Sequence, residues 1–424
     1  MAAPPDHARR PRGRAPGRRG DRRRRGGGGP TVTGRPFRTA LVGFGWINAQ
    51  VWLPRLLAHR NFEVVGVYDP ALTARSGART GPGAGGAGPS DGAAGLPPDL
   101  IADRLEDLLA RDLDLAVVGT PNHLHEQTAG AVLDAGVAAL IEKPLCLSTE
   151  ELRRLDARSW RTGAPFQISR PSARRLDVDR LRSLVRQWCV GPVRINAEWL
   201  RSSGVPRPGS WFTRRDQAGG GALLDLGWHL AEVTQGLLPD PRRTSLDARL
   251  LPPDDVSAHR GAGWRGDSPA PGAGKEGGVF DVEADGSLRA RYRDGSALSL
   301  RAAWATDVEV DTTRIEVHGT GADGEECHLE LVTTFGFSPH RVAHPVLRAR
   351  RGDRVSEWPV ETAPGKEYDA QLDATLAMLR RSLPWRTELH RSAQVLSLLE
   401  DAYRAGGRPL VSDAPARPAG AVPC

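Results

Sequence analysis

The apolar residues in the first half of the chain form short runs that alternate with stretches of helical spacing. Runs ending at residues 42, 68, 118 and 141 are separated by segments in which apolar residues recur every three or four positions. A further short run covers residues 166–170. Strands and helices that alternate in this way pack as a parallel sheet with right-handed crossovers. The pattern therefore predicts a doubly wound α/β domain at the start of the folded chain.

The second half shows a different pattern, in which apolar and polar residues alternate with a period of two. Residues 279–304 alternate on both sides of a turn at Asp294-Gly295, which predicts an antiparallel hairpin. Further strands are predicted at residues 193–200 and 313–331, and closing helices at 367–381 and 391–405. Two stretches rich in Gly, Ala, Pro or Arg, residues 76–98 and 239–278, are expected to be loose insertions.

Positive charge is concentrated in the first 36 residues. They contain eleven arginines and two acids, a net charge of +9, although the whole chain carries only +7. The remainder is therefore close to neutral, so a broad nucleic-acid-binding surface is not expected. Residues 1–36 have almost no apolar side chains and are predicted to be a disordered tail. Residues 406–424 are predicted to be a second flexible tail.

The four cysteines, Cys146, Cys189, Cys327 and Cys424, are far apart and form no C-x-x-C pair. This spacing predicts reduced thiols, a cytoplasmic location and no structural metal site. No apolar run in the sequence is long enough to span a bilayer, and no signal-peptide core follows the basic start. Neither membrane insertion nor export is therefore expected.

A glycine-rich turn follows the first predicted strand. Gly43 and Gly45 separate that strand from a helical stretch, which is the context expected of a dinucleotide-binding fingerprint. Gly43 permits a tight turn, Gly45 lets the backbone approach a pyrophosphate, and the helix N-terminus offers N–H groups to the anion. The sixth position of the fingerprint is Asn48, a larger residue than close packing of the helix normally allows.

The second predicted strand ends at Asp69, 21 residues beyond Asn48. A carboxylate at this distance hydrogen-bonds the ribose 2′-OH of NAD and repels the 2′-phosphate of NADP. The sequence therefore favours NAD, while Arg75 nearby could accept a phosphate and leaves NADP open. The alternative reading of Asp69-Pro70 is an ordinary turn.

Lysine is rare in this chain. Among 58 basic residues, the lysines are Lys143, Lys275 and Lys366. Arginine keeps its proton near neutral pH, whereas a desolvated lysine can release and regain one. Lys143 directly follows an apolar run and is therefore a candidate for proton transfer. The alternative is a chance surface lysine at the end of a strand.

Two further candidates, Asp225 and His229, lie four residues apart after a run of three glycines. This spacing places both on one face of a predicted helix. A carboxylate that orients an imidazole also raises its basicity, an arrangement suited to acid–base catalysis. The alternative is a solvated surface pair, which would not account for the small and apolar residues around it.

In this order the motifs resemble those of the Gfo/Idh/MocA family, the glucose–fructose oxidoreductase and inositol dehydrogenase group. The resemblance covers residues 37–405, apart from the two insertions. It rests on five elements, namely Gly43-Phe44-Gly45-Trp46-Ile47, Thr120-Pro121-Asn122-His123-Leu124-His125, Glu142-Lys143-Pro144, the stretch from Gly219 to His229, and the closing helix with Tyr368.

The resemblance implies an N-terminal Rossmann domain and a C-terminal domain built on a large, open, mostly antiparallel sheet. Residues 37–145 would form the NAD(P)-binding domain, and residues 146–405 the substrate and oligomerisation domain. The C-terminal sheet would join subunits into a homodimer or homotetramer. The peptide bond before Pro144 would be cis.

The resemblance also implies roles for individual residues. Lys143 would lie between nicotinamide and substrate, Asp225 and His229 would bind substrate and transfer protons, and Arg170 would contact substrate. Ser169 stands where the family often has asparagine, so that substrate contact is expected to differ. The residues implied to bind the cofactor are Gly43, Phe44, Gly45, Trp46, Ile47, Asp69, Thr120, Pro121, Asn122, His125, Glu142 and Lys143.

The reaction implied is hydride transfer between NAD(P) and a hydroxyl or keto carbon of a sugar, sugar nucleotide or cyclitol. Two alternatives stay open. One is a glycoside hydrolase that uses bound NAD transiently and releases an aglycone without a net change in NADH. The other is a non-catalytic dinucleotide-binding protein, which would be expected to lack a complete set of catalytic residues.

Overall fold

Two β-sheets organise the part of the chain that the computed structural model describes, residues 34–72, 96–252, 278–360 and 363–410. The strands are β1 Phe37–Val42, β2 Phe62–Tyr68, β3 Leu115–Val118, β4 Ala138–Ile141, β5 Phe166–Ile168, β6 Arg194–Leu200, β7 Arg243–Leu251, β8 Asp285–Tyr292, β9 Ala297–Ala303, β10 Thr312–Thr320, β11 Glu326–Thr333, β12 Val346–Arg351 and β13 Arg354–Pro359.

The α-helices are α1 Leu53–Ala58, α2 Leu105–Leu109, α3 His125–Asp134, α4 Thr149–Thr162, α5 Leu176–Trp188, α6 Arg215–Ala218, α7 Ala222–Asp225, α8 Gly227–Gln235, α9 Lys366–Leu379 and α10 Trp385–Ala405. A π-helical turn, Ile47–Trp52, leads directly into α1. Short 3₁₀ turns precede α3, α5 and α6.

The first sheet is parallel throughout, with strand order β2-β1-β3-β4-β5. Its central strands are buried on both faces, as their unbroken apolar runs predict. Val118 and Ile141 pack into one core cluster, whereas Val117 and Leu140 pack into the other on the opposite face. Since Val42, Val118 and Ile141 are in register, the turns after β1, β3 and β4 meet at one edge of the sheet. The doubly wound sheet is confirmed.

The parallel sheet continues beyond residue 145, because β5 pairs in parallel with β4 through Ile141 and Ile168. Between these strands, α4 begins at the predicted capping box, where the Ser148 hydroxyl accepts a hydrogen bond of 3.2 Å from the backbone N–H of Glu151. Gly163, with φ of 76°, follows the last residue of α4.

The second sheet has eight strands in the order β13-β12-β11-β10-β6-β9-β8-β7. All neighbouring strands are antiparallel except β6 and β9. One face packs on helices, with residues such as Ile315 and Val317 fully buried, while Arg314 and Glu316 alternate onto the other face. This confirms the large, mostly antiparallel sheet.

The expectation of a loose insertion over residues 239–278 is wrong for residues 243–251, which form the edge strand β7. A strand signal was present, since Leu246, Ala248 and Leu250 alternate with polar residues, but Pro and Arg around it concealed the period. Residues 253–277, most of 76–98 and the two predicted tails lie almost wholly outside the described residues. The strands β12 and β13 were not predicted.

Asn48 fits against the first sheet because its side chain hydrogen-bonds the sheet edge. The residue is fully buried, and its Nδ2 donates to the carbonyl oxygen of Gly43 at 2.5 Å and lies 3.4 Å from that of Val117. The large residue is also accommodated by Gly119, where an added Cβ would lie 2.8 Å from Asn48 Nδ2. The helix therefore packs closely despite the departure from the fingerprint.

We expect Gly119→Ala to lower the free energy of unfolding by about 1–3 kcal/mol, because the added methyl group overpacks the contact with Asn48. The midpoint of urea unfolding measures the loss. In the double variant with Asn48→Ala the steric conflict is removed, so its destabilisation should be smaller than the sum of the two single effects. Strict additivity would show that the two positions do not conflict.

Candidate active site

The site lies at the carboxyl edge of the parallel sheet, where the turns after β1, β3 and β4 meet. Ligands of open α/β sheets bind at this edge. The β1 turn carries Gly43, the β3 turn carries Thr120, and Lys143 follows β4. From the second half of the chain, α7, α8 and the residue after β9 supply Asp225, His229 and Trp304.

The turn after β1 suits the pyrophosphate of a dinucleotide. Gly43 has φ of 79°, and a Cβ there would lie 2.8 Å from the backbone nitrogen of Thr120, so a side chain is excluded. Gly45 is exposed, and a Cβ there would meet nothing within 4 Å. Open space beside a glycine at the start of a helix matches what an anionic cofactor group requires.

Asp69 lies beside this turn, as the fingerprint requires. One carboxylate oxygen accepts a hydrogen bond of 2.6 Å from the N–H of Phe44, and the other accepts one of 2.8 Å from the N–H of Ala71. The carboxylate thus joins the end of β2 to the glycine turn. Arg75 lies outside the described residues.

Two polar side chains of the turn at residues 120–125, Asn122 and His125, are hydrogen-bonded within the protein, whereas the buried Thr120 hydroxyl has no partner among the described residues. Asn122 donates to the carbonyl oxygen of Ala218 at 2.8 Å, which joins this turn to α6. The ring nitrogens of His125 lie 2.6 Å and 2.8 Å from the carbonyl oxygens of Pro144 and Thr120. Burial lowers the pKa of His125 to about 4, although both carbonyl groups favour the protonated ring. These hydrogen bonds fix the turn against α6 and against the segment at Pro144.

The Glu142 carboxylate is hydrogen-bonded to the π-helical turn that contains Trp52 and to the backbone of Lys143. Its carboxylate accepts a hydrogen bond of 2.8 Å from the indole N–H of Trp52 and one of 3.2 Å from the N–H of Lys143. Burial raises the pKa of Glu142 above its ordinary value. The peptide bond between Lys143 and Pro144 is cis, as the family resemblance implies.

The Lys143 ammonium group contacts Asp225 Oδ1 directly and lies 3.3 Å from the backbone oxygen of Asp225. The other carboxylate oxygen accepts a hydrogen bond of 2.9 Å from the indole N–H of Trp304. Burial alone would raise the pKa of Asp225, but Lys143 and Trp304 hold it below its ordinary value. Asp225 is therefore a carboxylate with a defined partner at each oxygen.

Among the described residues, no hydrogen bond joins Asp225 to His229, although the sequence spacing predicted a contact between them. The expected single helix is divided, since α7 ends at Asp225 and α8 begins at Gly227. Asp225 is bonded to Lys143 instead. Sequence spacing identified both residues but not their partners.

His229 is positioned by Ser172, whose hydroxyl oxygen lies 3.1 Å from Nδ1, and its ring centroid lies 5.8 Å from that of Trp199. Burial, and next the Lys143 ammonium group, lower the pKa of His229 to about 3 against the opposing effect of Asp225. The imidazole is neutral near pH 7. Its Nε2 has no hydrogen-bond partner among the described residues, so it is available to a substrate hydroxyl.

The glycines at 219–221 serve close packing beneath α7. A Cβ on Gly220 would lie 2.2 Å from the Tyr403 hydroxyl, and one on Gly221 would lie 1.9 Å from the Glu283 carbonyl oxygen. The Glu283 carboxylate accepts hydrogen bonds from the N–H groups of Gly221 at 2.9 Å and Leu223 at 3.0 Å, and from Tyr403 at 2.5 Å. This buried group holds the start of α7 and so the position of Asp225. Nothing in the sequence pattern singled out Glu283 or Tyr403.

Arg170 is directed into a buried ion pair. Its Nε lies 3.1 Å from Glu232 Oε1, and the two side chains are only 7% and 0% exposed. Burial raises the pKa of Glu232 to about 7, although Arg170 opposes the shift. The Nε–H group of Arg170 is therefore engaged with Glu232 and is not free for the predicted substrate contact. The residues that sequence reasoning missed around the site are Ser172, Trp304 and Glu283.

Two negative findings concern the described ranges only. Within residues 34–72, 96–252, 278–360 and 363–410, no helix combines the length and apolar character needed to cross a membrane. In the same ranges, no group of three or more His, Cys, Asp or Glu side chains is arranged to hold a metal ion.

Acid should destabilise the fold through His229. An unfolded histidine titrates near pH 6.5, so between that value and about 3 the unfolded state binds a proton that the folded state does not. Stability therefore falls as the pH drops through this window, by up to about 1.4 kcal/mol per pH unit. Urea unfolding of the wild type and His229→Gln at pH 6.5, 5.5 and 4.5 measures the effect. The variant should show the shallower pH dependence, and equal slopes would contradict the assignment.

Comparison with known proteins identifies two family domains in the chain. The sequence model described as "Oxidoreductase family, NAD-binding Rossmann fold" matches residues 37–169, and that described as "GFO/IDH/MocA C-terminal domain" matches residues 178–323. The first extends past the predicted boundary at residue 145 and includes β5.

Two curated relatives and one solved structure illustrate the similarity. The chain is 35% identical over 389 residues to a putative UDP-kanosamine synthase oxidoreductase subunit of Amycolatopsis mediterranei, covering 91% of this chain and 98% of the relative. It is 27% identical to D-glucoside 3-dehydrogenase of Escherichia coli, covering 65% and 73%. The fold is similar to that of KijD10, a 3-ketoreductase from Actinomadura kijaniata in complex with NADP and TDP-benzene, with 21% identity, 88% and 98% coverage and a TM-score of 0.64.

The family models together cover more than half of the chain, and the Amycolatopsis relative matches it almost from end to end. The glycine turn, the segment Glu142-Lys143-Pro144 and the two sheets occupy the places that the resemblance implied. The chain therefore belongs to the Gfo/Idh/MocA family of NAD(P)-dependent oxidoreductases that act on hydroxyl or keto carbons of sugar-type substrates.

Proposed function

We propose that this protein transfers hydride between NAD(H) and C3 of the hexose in a nucleoside diphosphate sugar, with a uridine nucleotide as the leading candidate. The relative with 35% identity is named for a UDP sugar, and the Escherichia coli relative is named as a 3-dehydrogenase. The observation that carries the proposal is the grouping of the Lys143 ammonium group, the bonded Asp225 carboxylate and the neutral His229 at the sheet edge.

The residues around the glycine turn fit the cofactor. The open space beside Gly45 would receive the pyrophosphate, Gly43 permits the tight turn against Thr120, and Asp69 would accept a hydrogen bond from the adenosine ribose. A carboxylate at this position favours NAD over NADP. Nicotinamide supplies or accepts the hydride when it is bound. Phe44, Trp46, Ile47, Thr120 and Pro121 would line the cofactor site, and Asn122, His125 and Glu142 would hold the turns around it through side-chain hydrogen bonds.

In this proposal Lys143 binds the substrate oxygen, and His229 accepts or returns the proton of that oxygen. The Lys143 ammonium group donates a hydrogen bond to the hydroxyl or keto oxygen and stabilises negative charge that develops there. The neutral imidazole of His229 accepts the hydroxyl proton at Nε2 during oxidation and returns it during reduction. Asp225, fixed by Trp304, keeps the ammonium group in place. Ser172 holds the orientation of His229 from Nδ1.

We also propose a cytoplasmic homodimer or homotetramer that associates through the second sheet. The face of that sheet opposite the helices carries charged residues such as Arg314 and Arg348, both of which pair with Glu330. The described cysteines Cys146, Cys189 and Cys327 are unpaired, which agrees with a reducing compartment. Light scattering of the purified protein measures the number of subunits, and a monomer would contradict this part of the proposal.

The substrate proposal is tested by incubating the purified protein with UDP-glucose and either NAD or NADP. We expect NADH absorbance at 340 nm to rise and a product two mass units lighter to form, with NAD preferred. TDP-glucose, methyl glucoside and inositol serve as comparison substrates. Release of UDP or of an aglycone without net NADH would support the hydrolase alternative, which none of the relatives described above supports. NADH formation with inositol alone would overturn the nucleotide-sugar assignment.

Lys143→Arg is expected to retain NADH binding but to lower kcat by roughly 10²–10³, because the planar guanidinium group keeps positive charge without reproducing the geometry by which the ammonium group stabilises charge on the substrate oxygen. Fluorescence titration with NADH separates binding from turnover. Lys366→Arg is the matched control, since Lys366 is exposed at the start of α9. Near-normal turnover by Lys143→Arg would show that the Lys143 ammonium group is not needed to stabilise charge on the substrate oxygen.

A further inference from the structure

Tyr368, on α9, has a ring that is fixed by aromatic contacts beside the cofactor turn. The residue is only 7% exposed. Its ring stacks on Phe337 with centroids 5.4 Å apart and meets the edge of Trp52 at the same distance. Arg55 lies 5.7 Å from the ring centroid. These contacts leave the ring little rotational freedom, so the direction of its hydroxyl group is defined.

The hydroxyl group of this buried tyrosine has no hydrogen-bond partner among the described residues. Buried tyrosines normally have one, and two others in this chain do. The Tyr403 hydroxyl donates to Glu283 at 2.5 Å, and the Tyr292 hydroxyl accepts a hydrogen bond of 2.9 Å from Gln235. The Tyr368 oxygen is not among the fully enclosed polar atoms that lack a partner, so it borders open space.

The surroundings of Tyr368 place this hydroxyl on the cofactor side of the site. The indole that touches its ring, Trp52, donates to Glu142, the residue directly before Lys143. Burial is the main cause that raises the pKa of Tyr368, and the carboxylates of Glu142, Glu367 and Asp225 raise it further. The hydroxyl therefore remains protonated and lies near two carboxylates of the proposed site.

The neighbouring charges restrict the kind of ligand group that the hydroxyl can meet. The Glu142 carboxylate would repel a phosphate group in its vicinity. A sugar diol suits the pair, because the carboxylate can accept a hydrogen bond from one hydroxyl group while the phenol donates a hydrogen bond to the second hydroxyl group or accepts one from it. Trp52 and Phe337 join this position to the glycine turn, since Phe337 also contacts Trp46 at 5.2 Å.

We propose that Tyr368 hydrogen-bonds a hydroxyl group of the nicotinamide ribose, so that a helix of the C-terminal half supplies part of the cofactor site. The inference rests on the proposed function in one respect, namely that the protein binds NAD(H). It assigns a binding role to a residue outside the Rossmann sequence motifs. The contact would also hold α9 against the cofactor once the dinucleotide is bound.

The test is Tyr368→Phe, which keeps the ring and its aromatic contacts but removes the hydroxyl. Titration with NADH without sugar, followed by fluorescence or calorimetry, should give a Kd about fivefold to tenfold higher than the wild type. A change of this size is expected for the loss of one hydrogen bond between neutral groups. Affinity for ADP, which lacks the nicotinamide ribose, should be unchanged. Tyr292→Phe is the control, because its hydroxyl is bonded to Gln235.

The outcomes separate this inference from the proposed function. If the wild type binds no NADH or NADPH, the proposed function fails. If the wild type binds NADH and Tyr368→Phe binds it equally well, the ribose contact is wrong. A higher KM for the sugar with unchanged NADH affinity would assign the hydroxyl to the substrate and overturn the cofactor assignment. Equal weakening of NADH and ADP would show a general loss of structure, which also contradicts the proposal.

Discussion

The site depends on the pairing of the Lys143 ammonium group with the Asp225 carboxylate. The two side chains are 18% and 20% exposed, so neither charge is fully solvated. A partly buried charge without a partner would be costly, and each group therefore fixes where the other can lie. The pair joins the end of β4 in the parallel sheet to α7, which packs against the second sheet. This one contact brings together the two halves of the proposed active site.

Several buried groups maintain this geometry without taking part in the proposed chemistry. Trp304 holds the second oxygen of Asp225, and Glu283 holds the start of the helix that carries it. Because Gly220 and Gly221 have no side chains, Tyr403 and Glu283 can approach their backbone. The consequence is a carboxylate whose position is set from both sides before any ligand binds. Such preorganisation reduces the rearrangement needed when charge develops on a substrate oxygen.

The contrast between His229 and Lys143 follows from their surroundings. His229 is packed against Trp199 and bonded to the neutral Ser172, and the nearby ammonium group opposes its protonation. Lys143 faces a carboxylate directly. One group is therefore a neutral proton acceptor and the other a hydrogen-bond donor that carries charge. Two basic residues within one site acquire different roles because only one of them has an anionic partner.

The sequence by itself determined the two sheet types, the position of the glycine turn and the edge at which Asp69 and Lys143 lie. These features follow from local periodicity and from the rule that parallel strands end at a common edge, so neighbouring residues suffice to predict them. Strand β7 was missed because a short alternation is easily hidden by flanking Pro and Arg.

Only the tertiary structure decided the partners of the polar side chains. Spacing suggested that Asp225 would orient His229, but in the fold the carboxylate is bonded to Lys143, 82 residues earlier in the chain. Arg170 likewise pairs with Glu232, 62 residues later in the chain. Long-range packing sets these distances, and a buried polar group takes the partner that the fold brings within reach.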